Sequence, residues 1–81
     1  MLVNEAIAEE CKKLKYNNLF GLFLYWAKIS NFDFEKSEIT ININPVELRI
    51  IIENQKINYS RVIDLAVKRA FNKKFKIKYE S

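Results

Sequence analysis

With 81 residues the chain is long enough for one domain and too short for two, so residues 1–81 are expected to form a single unit. Its composition, 49% hydrophobic and 30% charged, is that of an ordinary folded protein rather than a disordered chain, and its one Gly and one Pro favour packed helices with a small sheet. The net charge of +4 is uneven: residues 1–55 carry 6 basic and 8 acidic side chains, and residues 56–81 carry 8 and 2. The C-terminal third therefore presents either a phosphate-binding surface or a solvated lysine-rich face.

In chain order, the first helix is expected near Asn4. Val3, Ile7, Cys11 and Leu14 form one apolar stripe, with Glu5, Glu9 and Glu10 early and Lys12, Lys13 and Lys15 late, as the helix dipole favours. Cys11 on that stripe reads as a small buried apolar group. Asn17 and Asn18 break the pattern and can cap a second helix over residues 19–27. That helix is apolar nearly all round, so it is either buried on several sides or presents a sticky surface. Gly21 within it would let another element approach closely.

Phe32 and Phe34 alternate with Asn31, Asp33 and Glu35, which predicts a short strand over residues 29–34 and a hairpin turn at residues 35–37. Residues 37–48, SEITININPVEL, carry the sharpest signal. Ile39, Ile41 and Ile43 alternate with polar residues as in a strand with one buried face. Asn44 then caps a helix, Pro45 suits its first position, and Glu47 stands at capping-box spacing. Leu48, Ile51 and Ile52 would form the inner face of that helix.

The polar residues 54–58 mark a break or a bend, after which Asn58 or Ser60 can cap a further stretch. Val62, Leu65, Ala66, Val67 and Ala70 carry its stripe to Phe71. Finally Phe75, Ile77 and Tyr79 alternate with Lys74, Lys76, Lys78 and Glu80, a strand whose lysines face water. The expected fold is α+β, order α-α-β-β-α(α)-β, with a three-stranded sheet and helices on one face.

Catalytic and metal signatures are missing from the sequence. The chain has no histidine, no cysteine pair, no glycine-rich phosphate loop and no nucleophile beside a base. A non-catalytic binding module without a cofactor is expected. The pair Glu9–Glu10 reads as part of a solvated helix face. The apolar run at residues 19–27 falls short of the roughly 20 residues a bilayer needs, so no membrane contact is expected. A lone cysteine fits a reducing compartment, and the early glutamates interrupt any signal-peptide pattern, so a cytoplasmic location is expected.

The element order and several local strings resemble domain I, the N-terminal domain of the bacterial replication initiator DnaA. In that family a helix of the LWxxxLxxL type precedes a short helix containing F-x-x-W. A strand of the TLTIxVPNxF type then leads into a long helix, and a last strand reads like IKFxI. Here EAIAEECKKL stands for the first helix and Phe20-Gly21-Leu22-Phe23 for F-x-x-W. EITININPVEL matches the strand, with Pro45 on the family proline and Leu48 on its Phe, and KFKIKYE matches the last strand. The family's partner-contact positions fall near Leu2 or Val3 in place of Trp, at Leu19 in place of an acidic residue, and at Val46 in place of Asn.

The resemblance implies a fold like a type II KH domain that self-associates, recruits the replicative helicase or docks replication regulators, and binds single-stranded DNA weakly. Clamp-loader subunits contain a similar domain, so helicase and polymerase partners are both open. On this reading Val46, Glu47, Leu48, Leu19 and Val3 contact protein, and the basic Lys73, Lys74, Lys76 and Lys78 contact nucleic acid. A competing pattern covers residues 38–71, which resemble a ribbon–helix–helix DNA-binding dimer. There the Ile39 strand would pair with its own copy in a second subunit and turn Glu38, Thr40 and Asn42 to the major groove.

Overall fold

The computed structural model describes residues 2–47, 49 and 58–80. The isoleucine strand runs Glu38–Asn42 (β2) and is the centre of a three-stranded mixed sheet of order β1-β2-β3. Lys28–Asp33 (β1) pairs with it antiparallel and Lys76–Glu80 (β3) parallel. Past the ladder, Ile43 N–H donates to Glu80 C=O at 2.9 Å and Lys76 N–H to Ser37 C=O at 2.7 Å. Both edges of β2 are thus used within the chain, which leaves none for the intermolecular ribbon of a ribbon–helix–helix dimer.

The alternation fixes which face is covered. Ile39 and Ile41 have no exposure and pack with the helices, whereas Lys76 and Lys78 on the other face are exposed. The hairpin turn is made by Asp33, whose Oδ1 accepts from Lys36 N–H at 2.9 Å, and by Ser37 at φ 55. Phe34 leaves the strand for this turn. Phe75 is buried but stands just before β3 rather than within it.

Helix α1, Val3–Lys13, buries Ile7, Ala8 and Cys11, with Val3 and Leu14 packed at the margin. Glu10 departs from expectation. It is not on a solvated face but nearly buried, 3.1 Å from Lys13 Nζ and 3.3 Å from Arg69 Nε. The reason is tertiary: the helix that follows residue 58 packs against α1 and brings a guanidinium to it.

The second helix divides into α2, Asn17–Gly21, and a π-helical turn over Leu22–Trp26, closed by Ala27 N–H on Leu22 C=O at 2.7 Å. Asn4 Nδ2 donates to the Phe23 carbonyl within that turn at 3.2 Å. Leu19, Leu22 and Phe23 are buried, while Tyr25 and Trp26 are 75% and 60% exposed. A continuous α-helix would keep Trp26 on the face of Leu19, Leu22 and Phe23; the wider π turn rotates it off. Gly21 does not admit a close neighbour: it is ordinary right-handed helix, φ −61 and ψ −40, with open space where a Cβ would stand.

Asn44 Oδ1 accepts from Val46 N–H at 2.8 Å, and residues 45–47 and 49 are helical, so the strand does pass into a helix through an asparagine cap. The expected inner face at Leu48, Ile51 and Ile52 lies outside the described residues. Asn58 opens the next helix, α3, Tyr59–Phe71, by accepting from Arg61 N–H at 3.2 Å. Its buried residues are Ile63, Ala66 and Val67, whereas Leu65, expected inside, is 46% exposed. The face toward α1 is therefore set by Ile63 rather than Leu65. No helix among the described residues is long and apolar enough to cross a membrane.

Two stability outcomes follow from this packing. Phe23→Ala removes a fully buried ring and should cost about 3–5 kcal/mol, read by thermal or urea unfolding. Gly21→Ala should instead stabilise the chain by about 0.5–1 kcal/mol, because a helical site with free space gains from a residue of better propensity.

Candidate functional site

One candidate surface lies where β2 gives way to its helix. The Asn44 cap holds the first turn, and Val46 on it is an apolar side chain 56% exposed, with the half-buried Glu47 next to it. Leu48 lies outside the described residues. Leu19 must be removed from the contact set: it has no exposure, because the face of α2 that carries it forms the core with Phe23 and Ile7. Val3 is half-buried and lines an open groove of about 440 Å³ with Leu2 and Phe32. Asn42, at the exit of β2, stands opposite Lys28, which also lines that groove. The Val46 turn and the groove therefore share one end of the sheet.

The lysines do not act alike. Lys74, Lys76 and Lys78 are exposed. Within the ladder Lys76 stands opposite Glu38 and Lys78 opposite Thr40, so one carboxylate offsets part of the local positive field. Lys73 is tied down. Its ammonium lies 4.3 Å from the Phe34 ring centroid and 6.0 Å from that of Phe75, and it donates to the Phe34 carbonyl.

The same contact reveals a residue that the sequence reading did not assign to a site. Phe34 is 50% exposed, with its ring 5.8 Å from that of Phe75 and 6.4 Å from that of Phe32. One side of the ring is taken by the Lys73 ammonium, and half of the residue stays open to solvent. The available signal was the alternation of Phe32 with Phe34, which put both in one strand; the turn lifts Phe34 out of the sheet.

Cys11 carries no reactive chemistry. It is fully buried, and burial, aided by the charge of Glu10, pushes its thiol up to about 12. No protein-family model, curated protein or solved structure matches the chain.

The tether on Lys73 sets it apart from its neighbours. Lys73→Met should lower stability by about 0.5–1 kcal/mol through the lost cation–π contact, whereas Lys76→Met should leave the unfolding midpoint nearly unchanged.

Proposed function

We propose that this chain is a non-catalytic interaction module of a chromosomal replication initiator, with a type II KH-like fold. It recruits the replicative helicase or a replication regulator, self-associates weakly and binds single-stranded DNA weakly. The observation that carries this reading is the exposed Val46 on an asparagine-capped turn directly after the central strand. That is the position at which the resemblance to DnaA domain I puts partner contacts.

The chemistry suits a modest protein contact. A single apolar side chain on a fixed turn can anchor a small interface, and the adjacent Glu47 adds a charge that a basic partner would recognise. Leu48 is the second anchor implied by the resemblance. Lys74, Lys76 and Lys78 supply a nucleic-acid contact without base-edge readout, so binding would lack sequence preference and fall steeply as salt rises, and Phe34 beside Lys73 offers a separate side chain on which a base could stack.

The decisive variant is Val46→Asp. An acidic residue in the first turn agrees with the helix dipole, so the fold should persist. Binding to the purified replicative helicase should weaken by about 1–2 kcal/mol or more, measured by calorimetry alongside a thermal melt. A parent chain that binds neither helicase nor any replication regulator would overturn the reading. In parallel, Phe34→Ala should lower affinity for a single-stranded oligonucleotide by about 1–3 kcal/mol.

A further inference from the structure

The order β1-β2-β3 leaves the far side of β1 unpaired by any strand among the described residues. That edge carries an irregularity: Ile29 pairs with Ile41 and Asn31 with Thr40, so Ser30 is an extra residue, a β-bulge. Lys28 and Asp33 lie opposite Asn42 and Glu38 and belong to the open face of the sheet. Ile29 and Phe32 lie opposite Ile41 and Ile39 and belong to the helix-covered face. With Ser30 and Asn31 together opposing one residue, the strand reads open, covered, bulge, bulge, covered, open. It is the same in both directions.

This palindrome has a consequence for symmetry. A regular strand of six residues cannot pair antiparallel with itself about its midpoint, because each residue would meet one that faces the other way. The bulge at the midpoint removes that conflict. We infer that β1 is the docking edge for a second copy of this chain, joined antiparallel about a two-fold axis between Ser30 and Asn31.

In that register Lys28 meets the partner's Asp33 twice, Ile29 meets the partner's Phe32 twice, and Ser30 meets the partner's Asn31 twice. Opposite charges and apolar pairs across strands each favour the pairing. The groove of about 440 Å³ beside the edge, walled by Val3 and the 64% exposed Leu2, would be covered from the second copy. A bulge usually discourages edge pairing by its added twist, but here both copies share it at the axis. The other outer edge, on β3, likewise unpaired by any strand among the described residues, offers no such fit. Its midpoint residue is Lys78, which would meet itself.

This deepens the self-association in the proposed function but rests on the edge geometry, so the two are tested apart. The experiment is sedimentation equilibrium of the full chain over a wide concentration range. The parent should associate weakly to dimers. Lys28→Asp and Asp33→Lys each create two like-charge pairs and should weaken association about tenfold. An equimolar mixture of the two variants restores every charge pair and should associate as the parent does.

Asp33 also caps the hairpin turn, so a thermal melt must accompany each variant. If Asp33→Lys fails to fold, Lys28→Arg against Lys28→Asp decides, the first keeping the dimer and the second losing it. A parent that stays monomeric at millimolar concentration overturns the inference, as does a mixture no more associated than either variant. Helicase binding by Lys28→Asp, scored separately, shows whether the Val46 reading stands when the dimer is lost.

Discussion

The structure depends on the double pairing of β2. Its backbone is bonded to β1 on one side and β3 on the other, and its isoleucines Ile39 and Ile41 are sealed beneath the helices. A strand so placed cannot shift register by one residue without turning those isoleucines to water and Thr40 to the core. Two of the candidate features hang from its ends. At one end Asn44 caps the turn that exposes Val46; at the other the Asp33 turn brings Phe34 to Lys73.

The helices are held by complementary means. Phe23, Ile7, Leu19, Ile63 and Val67 join one buried cluster. At its rim the Glu10 carboxylate, nearly buried, joins α1 to α3 through Arg69. An ion pair whose guanidinium is half exposed adds little stability by itself, but it fixes how the two helices align. Phe32, Phe34, Phe71 and Phe75 extend the same cluster, with the rings in contact 5.0–6.4 Å apart between centroids, and join the hairpin turn to the end of α3.

What was legible in the sequence was local. Alternation at Ile39 and Ile41 gave the central strand, and Asn44 and Asn58 gave the caps, because each signal acts within a few residues. What was not legible depended on distant partners. Burial of Glu10 needs Arg69, and the tether on Lys73 needs Phe34. The π turn depends on backbone bonds of i→i+5 spacing such as Ala27 N–H to Leu22 C=O, which no pattern of apolar residues announces. At the candidate site Val46, Lys74, Lys76 and Lys78 are exposed, as a contact residue must be, which leaves their role open to experiment. Leu19 is not, and an all-apolar helix gives no indication of which side faces in.

The parallel pairing of β2 with β3 also dictates an order of assembly. β1 and β2 are joined by a short turn, and such a hairpin closes in microseconds. Glu38 meets Lys76 only after the intervening helices have formed and crossed the sheet, and that long loop must be closed before any contact rewards it. During this interval the central strand is itself an edge, with Ile39 and Ile41 uncovered. The charged Glu38 then acts as a gatekeeper on that open edge, making capture by a stranger less favourable than waiting for the chain's own last strand.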